Sequence, residues 1–345
     1  MRLRTSLGIA IGTAVGTLIA AKALRSRRAI DLAGRTVVIF GGSRGLGLAM
    51  AREFSNAGAY VVLTARDEQE LERAAVDIEQ QGGQVTTIAC DITDREQIER
   101  TIGRIVHDRG GIDVLVNNAG IIQVGPLEHM TIDDFEEAMA THFWGPLFTI
   151  LTALPYMRGP RARRIVNISS IGGKIAVPHL LPYTASKFAL TGLSEGLRAE
   201  LAGQSFAVTT VCPGLMRTGS TYNAMFKGQH RHEFAWFHLS NAIPGFSVSA
   251  ARAARRIVDA CRHGDAEVIL TPSARLAVLT NGISPSTTAR LLALANHLMP
   301  GPSAGQGIRA HSGWQSVSRY VPSAVTRLAD RATIENNELP DASTS

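Results

Sequence analysis

The feature that most constrains the fold is a glycine-rich turn held between an apolar strand and an amphipathic helix. The strand reads TVVIF over residues 36–40, the turn reads GGSRGLG over 41–47, and a helical pattern runs from Leu46 to Asn56. Glycines let the backbone turn tightly and approach a diphosphate closely, while the free N–H groups of the helix N-terminus favour its negative charge. The segment predicts a dinucleotide-binding strand–turn–helix unit, with a glycine-rich turn that binds no ligand as the alternative.

The chain continues this alternation of strands and helices to about residue 214. Short apolar runs predict strands, and longer stretches with a period of about 3.6 residues predict helices between them. The predicted strands are 36–40, 59–65, 85–91, 113–120, 164–170 and 206–214, and the predicted helices are 46–56, 67–81, 94–109, 131–158 and one beginning near Tyr183. The alternation predicts the α/β class, specifically a Rossmann-type doubly wound parallel sheet with helices on both faces.

Composition and charge exclude some classes of function. Apolar residues make up 45% of the 345 residues and charged residues 19%, which is typical of a globular chain with a sizeable core. The formal charge is +6, but the basic residues are scattered without a recognition-helix or zinc-ligand pattern, so no nucleic-acid partner is expected. Cys90, Cys212 and Cys261 lie far apart, which favours free thiols in a reducing compartment.

Residues 1–28 form a separate N-terminal region with an apolar segment at 7–24 and arginines on both sides. The uncharged run before Lys22 is about 15 residues long, somewhat shorter than the roughly 20 that span a bilayer. We expect a membrane anchor that leaves the rest of the chain on the cytoplasmic face, because arginines just after an apolar segment disfavour translocation. A cleaved secretory signal and a soluble helix packed on the domain are the alternatives.

The end of the second strand predicts the type of dinucleotide. An acidic residue there would bind the ribose hydroxyls of NAD and repel a 2′-phosphate, but this chain has Ala65 followed by Arg66. With Arg44 in the glycine-rich turn, two guanidinium groups are available for that phosphate, so NADP(H) is expected. The alternative is that both arginines are solvated. Asp91, after the third strand, is expected to bind the adenine edge, to cap the helix near Thr93, or both.

Tyr183 and Lys187 lie one helical turn apart in the sequence YTASK. A phenol is a poor base at neutral pH, and a nearby ammonium together with a positively charged nicotinamide would lower its pKa. Ser170 ends a predicted strand at the sheet edge where α/β proteins bind ligands, so its hydroxyl is a candidate to orient a substrate carbonyl. Either feature alone is weak, and a serine that caps a turn is the alternative for Ser170.

Together these motifs resemble the short-chain dehydrogenase/reductase family over about residues 33–270. The matching segments are Phe40-Gly41-Gly42-Ser43-Arg44-Gly45-Leu46-Gly47, Asn117-Asn118-Ala119-Gly120, Ser170, Tyr183-Thr184-Ala185-Ser186-Lys187 and Pro213-Gly214. The resemblance implies hydride transfer between a carbonyl and an alcohol, with Tyr183 as general acid/base, Lys187 on the nicotinamide ribose and Ser170 on the substrate oxygen. It also implies cofactor contacts by Gly41, Ser43, Arg44, Gly45, Leu46, Gly47, Asp91, Ile92, Asn118, Ala119, Gly120, Pro213, Gly214 and Thr218.

Two positions depart from the family pattern. Phe40 stands where the family usually has a threonine, which removes a hydroxyl that would tie the turn together. His142, in the sequence THFWG, stands where the family often has an asparagine that supports a water-linked proton path to the lysine. An imidazole can relay protons as well, so His142 is either a catalytic relay or a structural histidine.

Residues 219–247 are rich in aromatic residues and histidine and are expected to form the substrate lid of the 33–270 domain. Their aromatic density favours a hydrophobic ketone, aldehyde or alcohol as substrate, although the aromatics equally fit packing against the C-terminal extension, residues 271–345. That extension has a helical pattern at 286–298, and its last residues, ELPDASTS, look disordered. The histidines lack metal-ligand spacing, so no metal is expected.

The resemblance also implies a homo-oligomer, either a dimer or a tetramer. A non-catalytic NADPH-binding scaffold or redox sensor is the alternative function. Only the departures at Phe40 and His142 favour it, because a scaffold does not need an activated phenol.

Overall fold

The computed structural model describes residues 22–157, 159, 163–242, 247–303, 307–317 and 323–339. Its strands are β1 (Thr36–Phe40), β2 (Tyr60–Ala65), β3 (Gln84–Ala89), β4 (Val114–Asn117), β5 (Gln123–Val124), β6 (Arg164–Ile168), β7 (Ala207–Cys212), β8 (Leu215–Arg217), β9 (Met225–Phe226), β10 (Ser247–Ser249), β11 (Glu267–Ile269) and β12 (His311–Ser312). Its longer helices are α1 (Gly45–Asn56), α2 (Glu68–Gln80), α3 (Arg95–Arg109), α4 (Ile132–Met139), α5 (Gly145–Ala153), α6 (Leu181–Leu201), α7 (His230–Ala242), α8 (Ala250–His263), α9 (Pro272–Ile283), α10 (Pro285–His297) and α11 (Ser323–Glu335).

A sheet of seven strands, in the order β11-β7-β6-β4-β1-β2-β3, forms the centre of the fold. All neighbouring strands in it are parallel, so their carboxyl ends meet at one edge. Alternate residues of β1 enter different cores: Val37 and Ile39 pack with α1 and α8, whereas Val38 and Phe40 pack with α3 and α5. The predicted Rossmann-type doubly wound sheet is confirmed, and β11 is a further strand that the sequence reading missed.

The helix predicted over 131–158 is not continuous. Thr131 and Asp134 form a capping box that starts α4, and a π-helical turn over Ala140–Trp144 then separates α4 from α5. Pro146 lies in the first turn of α5, where it cannot donate a backbone hydrogen bond and its ring would crowd the carbonyl four residues earlier. The wider π turn accommodates the proline, and it places the side chain of residue 142 in the interior.

The C-terminal extension is largely helical and packs against the lid. α10 confirms the helical pattern at 286–298, α9 precedes it, and α11 packs on α7. Trp314 stacks on Tyr222 with ring centroids 4.5 Å apart. The exposed side chains of the α9–α10 hairpin include Leu276, Leu279, Ile283, Leu291, Leu294 and Leu298.

The N-terminal region is described only from residue 22. Residues 22–27 are helical, and Arg25 forms an ion pair with Asp265 at 2.8 Å, which holds this end against the domain. Within the described ranges, no helix is both long and apolar enough to cross a membrane. Most of the predicted anchor, residues 7–21, lies outside the described residues.

Candidate active site

A cleft of about 960 Å³ runs along the carboxyl edge of the sheet. It brings together nearly all of the residues predicted for the site, from the glycine-rich turn to Tyr183 and Thr218. Gly47 is the exception, because it packs behind the turn: a Cβ there would lie 1.9 Å from the carbonyl oxygen of Gly41. The predicted cofactor residues Asp91, Ile92, Asn118, Ala119, Gly120, Pro213 and Gly214 all line the cleft.

The Asn-Asn-Ala-Gly segment holds the glycine-rich turn in place. Gly41 has a φ of 80°, and a Cβ there would come within 2.5 Å of the backbone of Ala119, so only glycine fits. The Asn118 side-chain amide donates to the Gly41 carbonyl at 2.6 Å. Phe40 is fully buried in the core beneath the turn. The turn is thus tied by Asn118, although this chain lacks the family's threonine hydroxyl at position 40.

Asn117 belongs to a buried polar chain that links two strands and two helices below the cleft. Its side-chain amide donates to Asn167 at 2.9 Å, and it accepts from the hydroxyl of Thr149 at 2.7 Å. Asn167 in turn donates to the hydroxyl of Ser194 at 3.0 Å. Because buried polar groups are costly unless paired, this chain fixes β4, β6 and α6 relative to one another.

Ser170, Tyr183 and Lys187 meet where β6 ends and α6 begins. The Tyr183 side chain is half-buried, and its phenol is hydrogen-bonded to the Ser170 side chain. Lys187 is buried, its Nζ lies 5.7 Å from the Tyr183 ring centroid, and it donates to the carbonyl of Ile168 at 2.9 Å. The Ser170 hydroxyl additionally accepts from the backbone N–H of Gly172 at 3.0 Å, so the turn-capping alternative is correct, and the same side chain lines the cleft.

The protein's own groups do not lower the pKa of Tyr183. Burial is the largest influence and raises that pKa above its ordinary value, while the hydrogen bond with Ser170 opposes the rise. Burial lowers the pKa of Lys187 to about 7, so at neutral pH only about half of the lysine carries a charge. The predicted lowering of the Tyr183 pKa therefore depends on the positive charge of a bound nicotinamide.

His142 is fully buried beside Tyr183, with the two rings edge-to-face at 5.4 Å. Its Nε2 accepts from the backbone N–H of Ile121 at 3.1 Å, and its Nδ1 lies 2.7 Å from the Ser186 hydroxyl. Burial, and secondarily the charge of Lys187, holds the pKa of His142 well below its usual range. A neutral imidazole with both nitrogens engaged favours the structural interpretation over the proton relay.

We expect His142→Asn to lower kcat by less than about threefold and the free energy of unfolding by about 1–2 kcal/mol, because a buried hydrogen-bonded ring is lost. Steady-state rates from pH 5 to 10 and urea unfolding provide the measurement. A drop in kcat of tenfold or more, with a shifted pH profile and unchanged stability, would instead establish a relay.

The end of the cleft expected to hold the 2′-phosphate is more acidic than the sequence suggested. Arg44 pairs with Glu70 at 3.0 Å, and the Ser43 hydroxyl donates to the same carboxylate at 2.7 Å. Arg66 is exposed and lines the cleft. Of the two arginines predicted to clamp a phosphate, Arg66 therefore faces the cleft while Arg44 is held by an acidic partner.

Asp91 caps a turn at this end. Its carboxylate accepts from the backbone N–H and the hydroxyl of Thr93, both at 2.8 Å. The cap of the following helix α3 is Asp94, whose side chain accepts from the backbone of Gln97. The expectation that Asp91 itself caps that helix is wrong by one turn, although Asp91 does line the cleft as predicted.

The last described residues form part of the site, which the sequence did not predict. Asn336 accepts through its carbonyl from the backbone N–H of Gly45 at 2.8 Å, and Glu338 is 2% exposed. The expected disorder of ELPDASTS is therefore wrong at Glu338, and residues 340–345 lie outside the described part of the chain. No local pattern could have revealed this contact, since its partners are nearly 300 residues away.

Some aromatic residues of the lid, residues 219–247, pack toward the C-terminal extension, and others line the cleft. Phe226 and Phe234 are buried in a cluster of aromatic rings that also contacts the C-terminal extension through Tyr222, whereas Trp236 and Phe237 line the cleft. Phe246 lies outside the described residues. Apolar lining also comes from Ile122, Val177, Leu180 and Met216.

The lining of the cleft also contains polar groups. Lys227 pairs with Asp134 at 2.6 Å, and Gln123 donates to Glu137 at 2.7 Å. All four line the cleft, so its walls here are mixed rather than purely apolar.

Comparisons with known proteins agree with this geometry. The profile of the family described as short chain dehydrogenase matches residues 35–226. The dehydrogenase/reductase SDR family protein 7-like of Anopheles gambiae is 34% identical over 75% of this chain and 82% of its own length. The fatty acyl-CoA reductase of Acinetobacter baylyi is 32% identical over 80% of this chain and 89% of its own length. A short-chain dehydrogenase from Streptomyces avermitilis superposes with a TM-score of 0.65, at 29% identity over 77% of this chain and 97% of that one.

The chain belongs to the short-chain dehydrogenase/reductase family. It is accordingly an oxidoreductase of the type that acts on CH–OH and C=O groups with a nicotinamide dinucleotide. The described residues fit such a cofactor: the glycine turn at 41–47 allows close approach, the N-terminus of α1 faces the cleft, and Arg66 lines its outer end.

Proposed function

We propose that the protein is an NADPH-dependent reductase of hydrophobic ketones or aldehydes, with Tyr183 as its general acid. The observation that carries the proposal is the half-buried Tyr183 phenol, hydrogen-bonded to Ser170 and adjacent to the buried Lys187, in the same cleft as the glycine-rich turn. A scaffold does not need a phenol placed between a serine hydroxyl and a buried lysine, so the arrangement supports an enzyme rather than a cofactor-binding sensor.

The residues divide the chemistry between them. The bound cofactor supplies a hydride to the carbonyl carbon of the substrate. Ser170 holds the carbonyl oxygen by a hydrogen bond, and Tyr183 donates its proton to that oxygen as negative charge develops there. Lys187, with a pKa of about 7, then provides a group that exchanges protons near neutral pH. In the alcohol-oxidising direction, the same groups take the proton instead.

The walls of the cleft support the substrate class. An apolar surface for a hydrophobic substrate is provided by Trp236, Phe237 and Leu180. The Lys227–Asp134 ion pair, which also lines the cleft, would accommodate a polar group of that substrate. The name of the relative from Acinetobacter baylyi, a fatty acyl-CoA reductase, agrees with a substrate of this kind. We further propose membrane association through residues 7–24, which would bring the site close to such substrates, and assembly as a homo-oligomer.

The proposal is tested by titrating the protein with NADPH and NADH, followed by turnover assays on long-chain aldehydes and cyclic ketones. A preference for NADPH, together with turnover of apolar substrates, is the expected result. If dinucleotides bind but none of the carbonyl compounds is reduced, and cellular function persists in Tyr183→Phe, the scaffold alternative replaces the reductase.

Arg66 is expected to determine the choice of cofactor. Arg66→Asp should lower the preference for NADPH over NADH by about 50-fold, because a charge-assisted contact to the 2′-phosphate is replaced by repulsion. The measurement is kcat/KM with each nucleotide. Arg255→Asp makes the same charge change on the surface of α8, where Arg255 pairs with Glu53, and should leave the preference unchanged. Equal effects of the two substitutions would contradict a specific role for Arg66.

A further inference from the structure

The C-terminal segment Asn336–Glu338 lies on the N-terminus of α1, the place where a dinucleotide presents its diphosphate. The Asn336 carbonyl accepts from the first backbone N–H of that helix, at Gly45, at 2.8 Å. The Asn337 side-chain amide donates to the carbonyls of Ser43 and Glu70 at 2.9 and 3.0 Å. Three consecutive residues of the tail are thus fitted to the glycine-rich turn and its surroundings.

The Glu338 carboxylate occupies the centre of this contact. A Cβ on Gly45 would lie 2.5 Å from its Oε1, and a Cβ on Gly219 would lie 3.1 Å from the Glu338 Cβ, so the side chain is inserted between two glycines. Asn223 donates to Oε2 at 2.6 Å, and the Arg44 guanidinium lies 3.7 Å from the same oxygen. The Glu338 carboxyl group thus lies beside a helix N-terminus, an amide and an arginine, which are groups that would bind a diphosphate.

We propose that Asn336–Glu338 is an internal competitor of the cofactor, in which the Glu338 side chain fills the space of the diphosphate and must leave when the dinucleotide binds. The proposal rests on the proposed function. Because the segment and the diphosphate need the same space beside Gly45, the observed affinity for the cofactor equals the intrinsic affinity multiplied by the fraction of molecules with the segment released. Glu338 is then a determinant of cofactor affinity that lies just after α11, far from the glycine-rich turn in the sequence.

The competition depends on pH. Burial raises the pKa of Glu338 to about 7, with Arg44 and Asn223 opposing the rise and Glu70 adding to it. Arg73, which donates to Asn337 at 2.8 Å, is the other charged group on the segment. A released carboxyl titrates near 4.5, so docking is strongest below about pH 4.5 and weakens as the pH rises to about 7. Cofactor affinity should therefore increase from pH 5 to pH 8.

The test compares the dissociation constant for NADP⁺ in the full chain and in two variants. Glu338→Ala removes the competing group and is expected to tighten binding by about tenfold or more. Glu335→Ala is the matched control: it removes the same charge three residues earlier, where the carboxylate is largely exposed and pairs with Arg331, and it should leave the constant unchanged. Equal tightening by both variants would show a general charge effect and overturn the proposal.

Hydrogen exchange of the wild-type chain provides a readout that does not depend on turnover. In the docked segment, the backbone N–H groups of residues 336–338 donate to carbonyls of residues 332–334 in α11. Adding NADP⁺ should speed the hydrogen exchange of these three amides. Slower exchange, or weaker binding by Glu338→Ala, would mean that the segment closes over the cofactor and would overturn competition. If NADP⁺ binds equally well to the wild type and Glu338→Ala, this inference alone fails; if no dinucleotide binds to any form, the proposed function fails as well.

The isosteric variant Glu338→Gln separates charge from shape. A neutral amide keeps the fit between Gly45 and Gly219 and does not titrate, so the segment should stay docked at every pH. The ratio of the dissociation constant of Glu338→Gln to that of the wild type is expected to rise between pH 5 and pH 8. A constant ratio would overturn the pH dependence.

Discussion

Tyr183→Phe is expected to lower kcat by about 10³-fold while changing the dissociation constant for NADP(H) by less than about threefold. The substitution removes the hydroxyl that is hydrogen-bonded to Ser170 and that would protonate the substrate oxygen, and a general acid contributes about 10²–10⁴-fold to rate. The ring itself remains, including its edge-to-face contact with His142, so the fold of the cleft should persist. Single-turnover rates with NADPH and a reducible ketone, together with fluorescence titration of the cofactor, separate the two effects.

Tyr222→Phe is the matched control for this loss. Tyr222 is also a partly buried phenol, but its hydroxyl donates to Asp330 at 2.7 Å and its ring stacks on Trp314, away from the cleft lining. Its removal should leave kcat unchanged and lower the free energy of unfolding by about 1 kcal/mol. If Tyr183→Phe retained more than a tenth of the wild-type rate, the general acid would have to be another group, and the proposed mechanism would be wrong.

Most strands of the central sheet were predictable because the residues of each strand form a recognisable local pattern. β1 and β4 are buried on both faces, so each appears as an apolar run that is followed at the functional edge by Gly41 or Asn118. β6 and β7 are buried in the same way, and their β-branched residues still predict strands although Asn167 and two threonines interrupt the apolar runs. β11 was missed since only its central residue, Val268, is buried among three. A strand of that length carries too few residues to produce a pattern of its own.

The sequence predicted which residues line the site, but it did not predict their pKa shifts and ion pairs. Residue types and spacing identified Ser170, Tyr183 and Lys187, and the cleft contains all three. The sequence could not show that burial raises the pKa of Tyr183, or that Glu70 holds Arg44 and Ser43, because these effects come from the distances between elements. For the same reason, no sequence pattern placed Glu338 beside Gly45.

Lys187→Met is expected to abolish most activity and yet raise the free energy of unfolding by about 2 kcal/mol at pH 6. Burial lowers the pKa of Lys187 from 10.5 to about 7, so the folded chain disfavours the ammonium. Below pH 7, Lys187 is charged in both the folded and the unfolded chain, and its full cost to stability is present. As the pH rises from 7 to 10.5, this cost shrinks, because the folded chain has already lost the proton that the unfolded chain still binds. Its full size is on the order of 5 kcal/mol, which the lost hydrogen bond to Ile168 partly offsets.

Urea unfolding of the wild type and Lys187→Met at pH 6 and pH 9 tests this expectation, because the other titrating groups cancel in the difference between the two chains. The wild type should gain about 2–3 kcal/mol relative to the variant over that interval. A difference that does not change with pH would show that Lys187 is charged throughout and would contradict the lowered pKa.

Lys227→Met is expected to have the opposite effect on stability. Lys227 is nearly as buried as Lys187, but it pairs with Asp134 at 2.6 Å, so its removal leaves a buried carboxylate without its cation and should cost about 3 kcal/mol. Among the described residues, Lys187 has no carboxylate within ion-pair distance, and its Nζ donates to the neutral carbonyl of Ile168. A buried amine that would be more stable as methionine is hard to explain by folding alone. The proposed mechanism accounts for it, because a lysine beside Tyr183 that titrates near pH 7 would pass a proton to the phenol after each turnover.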